Sequence, residues 1–307
     1  MWVKDRTGPA LRADLRARLR LPLFVAPMFL ISGPDLILAA AQAGALAAFP
    51  SINARDRAEL DRWLAEIAAG AGAAPWGVNL IVHASNTRLE ADLEATVRAR
   101  APVVVASVGA PDKVAGPVHA YGGLVFSDVA SLRHARKAVA AGADGLVLLT
   151  AGAGGNTGWL NPFAFVAEVR RFFDGPIAVA GAIGTGAALH ALEVLDADLG
   201  YAGTPFIATR ESLAQDGHKQ MVTHTDADGV ALSDLVTGIP ANFARQSLLD
   251  EGIIDVAGAP LHEGALDVAS WKTVWSMGHG CGGVSAVRPA TELIEEMRAD
   301  WVCARGG

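Results

Sequence analysis

The chain predicts an α/β fold: a (β/α)8 TIM barrel with a lid-like insertion after strand eight. Three observations lead there. Eight short apolar runs alternate with Ala/Leu/Arg segments of helical spacing, which implies a parallel sheet with right-handed crossovers. The runs are continuously apolar rather than alternating, as strands become when both faces are covered. The glycine-rich turns suited to phosphate come late, after the seventh and eighth runs, and no GxGxxG follows the first run as an open doubly wound sheet would require.

In chain order, Leu23–Met28 (LFVAPM) opens the alternation and leads into a helix over Pro34–Ala43. Strand Ala45–Phe49 is followed by helix Asp56–Ala69, and strand Trp76–Val82 by helix Asn86–Arg100. Strand Val103–Val108 precedes the short helical segment Pro111–Val114, and strand Gly123–Phe126 precedes helix Ser131–Ala141. Strand Gly145–Leu149 leads to helix Pro162–Phe173, strand Ile177–Ala180 to helix Thr185–Leu195, and Leu199–Gly203 is the eighth strand. The tail Pro289–Val302 reads as a closing helix with Pro at its first turn. Residues 211–285 hold little strand character and many Gly, Asp and His residues, including HTDADG and TGIPANF. The expected organisation is a barrel of residues 1–210 plus 286–307, with 211–285 inserted as a lid over the C-terminal barrel mouth, where such barrels keep their chemistry.

Composition narrows the function classes. Hydrophobic residues make up 51% of 307 and charged residues 19%, which favours a deep core. The formal charge of −7 and the lack of a basic cluster interleaved with aromatics argue against nucleic acid. Apolar runs are strand-sized, so no membrane span is expected, and the charged start lacks the apolar region of a secretory signal. Two cysteines, Cys281 and Cys303, give no disulfide framework and suit a reducing cytoplasm. Arg12, Arg16 and Arg20, at i, i+4 spacing, read as a solvated helix face. No His/Asp/Glu or Cys/His spacing resembles a metal site, and no GxSxG elbow is present.

The stretch PIAVAGAIGTGAALHALEVLDADLGYAGTPFIATR carries most of the functional signal. Two strands end at Gly181 and at Gly203-Thr204, each leaving bare backbone N–H groups beside a helix start, a geometry that suits one phosphate held between neighbouring strands. In a barrel the other strand tips face the same mouth: Ala26-Pro27-Met28, Asn79, Ser107, Ser127-Asp128 and the loop Ala153–Gly158.

These pieces together resemble the nitronate monooxygenase family, formerly 2-nitropropane dioxygenases. The matches are APM near the start, GVNL at strand three, GAGGN-TG after strand six and AVAGAIGTG after strand seven. GTPFIATRES after strand eight, TGIPANF in the insertion and VWSMGHG before the last helix complete the series, in order along nearly the whole chain. The resemblance implies an FMN-binding barrel. It places Pro27 and Met28 against the isoalloxazine ring, Asn79 at its polar edge, Gly154 and Gly155 in close approach, and Tyr201 as a further flavin contact. The amides near Gly181, Ala182, Gly203 and Thr204 would hold the phosphate. Redox chemistry belongs to such a cofactor, and the protein tunes it through backbone donors and dipoles.

Departures from the family pattern shape the expected reaction. The usual AGGH after strand six, whose histidine is the general base for neutral nitroalkanes, ends here in Asn156, and an amide cannot take a proton at neutral pH. Leu149, Gly152 and Pro205 also replace the usual glutamine, acidic residue and the arginine of GTR. A pre-formed nitronate needs no base, so its oxidation by flavin and O2 is the first expectation, with Asn156 orienting the substrate. The apolar segment Ile239–Phe243, with Trp271 and Trp275, would exclude water. An NAD(P)H-dependent reductase of quinones or enoyl thioesters is the second expectation, and a flavin-binding protein without efficient turnover the third. Candidates to replace the missing base are His83, His218, His224, His262 and above all His279, with His218 and His224 expected to be solvated. Oligomeric state is left open, a homodimer among the options.

Overall fold

The computed structural model describes residues 8–261 and 273–306. Its strands are β1 Leu23–Val25, β2 Leu46–Pro50, β3 Trp76–Ile81, β4 Val103–Ser107, β5 Leu124–Val129, β6 Gly145–Leu149, β7 Gly155–Asn156, β8 Ile177–Ala180, β9 Leu199–Ala202, β10 Val230–Ser233 and β11 Ala241–Ala244. The helices are α1 Gly8–Ala17, α2 Pro34–Ala43, α3 Arg57–Gly70, α4 Leu89–Arg98, α5 Asp112–Ala120, α6 Leu132–Ala140, α7 Pro162–Arg170, α8 Gly186–Val194, α9 Thr204–Ile207, α10 Asp216–His224, α11 Arg245–Asp250 and α12 Ala290–Ala304. Strands β1-β2-β3-β4-β5-β6-β8-β9 close a parallel barrel, with β9 pairing back to β1 through Phe24 opposite Tyr201.

The continuous apolar runs of the sequence follow from this closure. Inward side chains, among them Phe24, Leu46, Val105, Phe126, Val147 and Ala178, form one cluster inside the barrel. Their outward neighbours, such as Val25, Ala47, Val104, Val125 and Leu148, pack with the helices in a second and larger cluster. Both faces are therefore buried. Leu15 and Leu19, from α1 and the turn after it, join the interior cluster and plug its N-terminal end.

The arginines of α1 correct the expectation of a solvated face. Arg12 pairs with Asp196 and Asp198, both at 2.6 Å, and Arg16 lies 5.1 Å from the centre of the Trp301 ring. Asp198 is also held by Arg170 at 2.7 Å and by the Ile177 N–H at 2.8 Å. The i, i+4 spacing does put Arg12 and Arg16 on one face, but that face meets acids of the turn between α8 and β9, which local sequence does not reveal, while Arg20, beyond the helix, is exposed as expected.

Two further departures matter for the site. β5 runs on to Val129 because Asp128 and Val129 pair with Val147 and Leu148 of β6, so Asp128 is a strand residue, not a loop residue. The segment after β9 does contain strands: β10 and β11 pair antiparallel, and β11 pairs with β7, Ala241 opposite Asn156. Four-residue strands of the type ANFA are too short to show a pattern, and they form here by adding to the loop after β6. No described helix is long and apolar enough to cross a membrane.

Candidate active site

The period-two alternation of the strands decides which side chains reach the mouth of the barrel. Beyond the last apolar layer, the inward positions are Asn79 and Ile81 of β3, Ser107 of β4, Asp128 of β5, Leu149 of β6 and Tyr201 of β9. They form the floor of a cavity of about 320 Å³ at the C-terminal ends of the strands. The strand tips and two loops complete its walls: Ala26–Phe29, Gly152–Asn156, Gly181–Ile183, Gly203–Pro205, and Ser276, Met277 and Gly280.

Side chains from neighbouring loops pin the turn after β1. The Met28 N–H donates to Ser32 Oγ at 2.9 Å, and the Met28 carbonyl accepts from Asn53 Nδ2 at 2.9 Å. Asn53 Oδ1 in turn accepts the N–H of Leu30, which holds a left-handed φ of 61°. The apolar Pro27-Met28 wall is thus rigid, as a surface meant to hold a planar ring must be.

The tips of β8 and β9 lie side by side, since Ala180 is opposite Tyr201. Gly181 has φ 131° and Ala182 φ 57°, a pair of conformations that turns successive amides to one side. A side chain at Gly181 would run into Thr150 Oγ1, so only glycine fits that turn. Among the described residues, the N–H groups of Gly181, Ala182, Gly203 and Thr204 have no acceptor. Four free donors on adjacent strand ends, beside apolar walls, fit the phosphate and ring of a flavin mononucleotide. At the other edge Asn79 donates from Nδ2 to the Val105 carbonyl (3.0 Å) and to Ser107 Oγ (2.5 Å). Its Oδ1 has no donor among the described residues, which suits a ring N–H.

The segments around Asn242 and Gly278 close one side of the cavity through a run of polar ties. Asn242, almost fully buried on β11, donates to the Ala153 carbonyl at 2.7 Å. The Gly278 N–H donates to Thr204 Oγ1 at 2.9 Å, and the His279 N–H to the Gly152 carbonyl at 2.9 Å. The two loops approach so closely that a Cβ at Gly154 would lie 2.8 Å from the Gly278 nitrogen.

The sequence places Asp128 at the tip of strand five without giving it a role, and among the described residues it is the only acidic side chain on the cavity wall. Its Oδ1 accepts the N–H of Val108 at 3.3 Å, and its carboxylate also accepts from the Ser107 hydroxyl. Burial raises its pKa to about 6 despite these two donors. Tyr201, whose ring packs edge-on against Phe24 at 4.8 Å, is held protonated by burial and, to a lesser degree, by the charge of Asp128. The signal that could have found Asp128 is an acid at an inward position of an otherwise apolar strand, LVFSDV.

A second cavity of about 380 Å³ adjoins the first, and Val108, Asp128, Leu149 and Asn156 belong to both walls. Its remaining lining includes Arg133, His134 and Lys137 of α6 and Ile239.

The structure brings Pro27, Met28, Asn79, Gly154, Gly155, Asn156, Gly181, Ala182, Tyr201, Gly203 and Thr204 into one lining. It does not bring His279 there: that side chain is exposed, with its ring behind Gly152. His83 is exposed and bonded to Ser85, and His224 is exposed on its helix. His218, expected to be solvated, is buried instead, stacked on Trp275 and bonded to the Ser276 carbonyl at 3.0 Å. Burial lowers its pKa to about 4. His262 and Trp271 lie outside the described residues. Among the described residues no group of three His, Cys, Asp or Glu side chains could hold a metal.

Comparison with known proteins adds the family and the fold. The family model described as nitronate monooxygenase matches residues 15–299. The (3aS,4S,5R,7aS)-5-hydroxy-7a-methyl-1-oxo-octahydro-1H-indene-4-carboxyl-CoA dehydrogenase of Rhodococcus jostii is 25% identical over 75% of the chain. Its Mycobacterium tuberculosis counterpart is 26% identical over the same share. The matched region spans 64% of each of these relatives. Among solved structures, nitroalkane oxidase from Streptomyces ansochromogenes superposes with a TM-score of 0.80 at 24% identity, covering 95% of this chain and 99% of that one. FabK from Thermotoga maritima gives 0.79 at 23%, covering 96% of each, and these two likenesses bear on the fold alone.

Proposed function

The chain belongs to the nitronate monooxygenase family of flavin-dependent oxidoreductases, and on that premise we propose that it binds FMN and oxidises anionic, nitronate-like substrates with O2. The observation that carries the reading is the set of four acceptor-free amides at Gly181, Ala182, Gly203 and Thr204, beside the Pro27-Met28 wall and the open Asn79 Oδ1. When bound, the flavin would supply the redox chemistry that links the substrate to O2.

The protein's own groups do the rest. Amides at the β8 and β9 tips fix the phosphate; Pro27 and Met28 support the ring; Asn79 meets its polar edge. Asn156 stands at the junction of the two cavities and would orient the substrate by hydrogen bonds. The described parts of 211–285 serve as the lid of this reading, with Ser276, Met277 and Ile239 shielding the reacting atoms from water. The test is oxygen consumption by the FMN-loaded protein with alkyl nitronates; a yellow protein that consumes no oxygen with any of them refutes the substrate class.

A second reading is favoured by the CoA-named relatives and by the rim of the second cavity. Arg133, His134 and Lys137 could take the phosphates of a CoA thioester whose acyl group reaches Asn156. Anaerobic bleaching of the flavin by NADH or NADPH, followed by reoxidation with an enoyl-CoA, would select it.

A further inference from the structure

We propose that Asp128 is the proton acceptor of this site: its carboxylate takes the α-proton of a neutral nitroalkane and so generates the nitronate inside the protein. The inference rests on the proposed nitronate chemistry and extends it to the neutral acid.

The geometry sets Asp128 apart from the histidines. Its side chain comes from the inward face of β5 and lines both cavities, as does Asn156. It is half-buried, and its open surface faces these cavities, so it can touch a small ligand while protein surrounds it elsewhere. Two donors orient it: the Val108 N–H at 3.3 Å and the Ser107 hydroxyl. Ser107 Oγ accepts from Asn79 Nδ2 at 2.5 Å, which leaves its own proton free to serve Asp128. Both donors stabilise the ionised form, so the carboxylate is available at neutral pH although it is enclosed.

The step balances without an oxidant. The α C–H bond breaks, the proton passes to a carboxylate oxygen of Asp128, and the electron pair stays on the substrate, delocalised onto the nitro oxygens. Asn156, from the shared wall, can donate to that growing negative charge but cannot accept the proton. The charged and titratable groups lining the two cavities with Asp128 are Tyr201 of β9 and Arg133, His134 and Lys137 of α6. Tyr201 stays neutral, and the three α6 groups can draw an anionic product toward the second cavity. Asp128 itself titrates near pH 6.

The test compares nitroethane with pre-formed ethylnitronate on the FMN-loaded protein, and follows anaerobic exchange of the nitroethane α-protons in D2O by NMR. With Asp128 as acceptor, kcat/KM for nitroethane rises through a midpoint near pH 6, and Asp128→Asn lowers the nitroethane-to-nitronate rate ratio about 100-fold and abolishes exchange. Ser107→Ala, at a positioning residue, moves the midpoint upward because one donor to the carboxylate is gone. If Asp128→Asn fails to hold flavin, that midpoint alone decides. An unchanged ratio in Asp128→Asn, or an unmoved midpoint in Ser107→Ala, overturns the proposal. So does a wild-type protein that oxidises ethylnitronate but exchanges no α-proton, and then nitronate oxidation stands without Asp128. Exchange that depends on Asp128 in a protein that oxidises no nitronate keeps the base and removes the oxidation.

Discussion

The Val108 N–H donates to Asp128 Oδ1 at 3.3 Å, and Val108 adopts a left-handed φ of 61° at that place. A β-branched residue in that region is strained by an amount on the order of 1–3 kcal/mol. The strain sits at the mouth of β4, where it aims an amide at the one acid among the described residues of the cavity wall. Strain held at a ligand-facing position is a mark of a site built for chemistry over stability.

Asp128 should therefore cost stability when ionised. Its folded pKa, about 6, lies above the unfolded value near 3.8, so the folded state binds the extra proton between them and stability falls as pH rises through that window. Asp128→Asn should stabilise the protein at pH 7–8 by about 1–3 kcal/mol, after allowance for the solvent reaching it through the cavities, with the gain fading below about pH 4. Urea unfolding of both proteins across pH measures it, and a destabilised variant at pH 8 contradicts it.

His218 acts in the opposite sense. Burial holds its folded pKa near 4 against 6.5 when free, so the unfolded chain takes up the proton first and stability is lost as pH falls from about 6.5 toward 4. The loss is about 3 kcal/mol if the ring stays buried throughout. His218→Gln should flatten that part of the stability curve; a curve as steep as the parent's would locate the acid sensitivity elsewhere.

Gly181→Ala should weaken FMN binding at least about tenfold, because φ 131° disfavours any side chain and the new Cβ meets Thr150 Oγ1. Flavin fluorescence titration reads this. Ala182, already left-handed at φ 57°, should bind FMN at least as well when replaced by glycine.

Asn156→Ala should raise KM for a nitronate about tenfold or more, since a hydrogen bond to a charged group contributes about 1.5–3 kcal/mol. Steady-state oxygen uptake measures the change, and an unaltered KM would remove Asn156 from the substrate's surroundings.

Much of this was legible in the sequence for a simple reason. The strand runs are apolar on both faces, and barrel strands β6 and β8 begin and end where the pattern places them, Gly145–Leu149 and Ile177–Ala180. The glycine turn after β8 announces itself because the φ of 131° at Gly181 tolerates few other residues. What escaped was set by tertiary neighbours. The partners of Arg12 stand more than 180 residues away. β10 and β11 pair with each other, and β11 adds to the loop that holds Asn156. Asp128 reads as a loop residue until its pairing with Val147 makes it an inward strand position. The SMGHG segment does approach the cavity, but through Ser276, Met277 and Gly280, with the His279 ring turned away.

The most direct measurement is the affinity of the flavin-free protein for FMN against riboflavin, which differ only in the phosphate. If the amides of Gly181, Ala182, Gly203 and Thr204 grip that group, FMN binds at least about 100-fold more tightly. Equal affinity for the two, or no binding of either, contradicts the account.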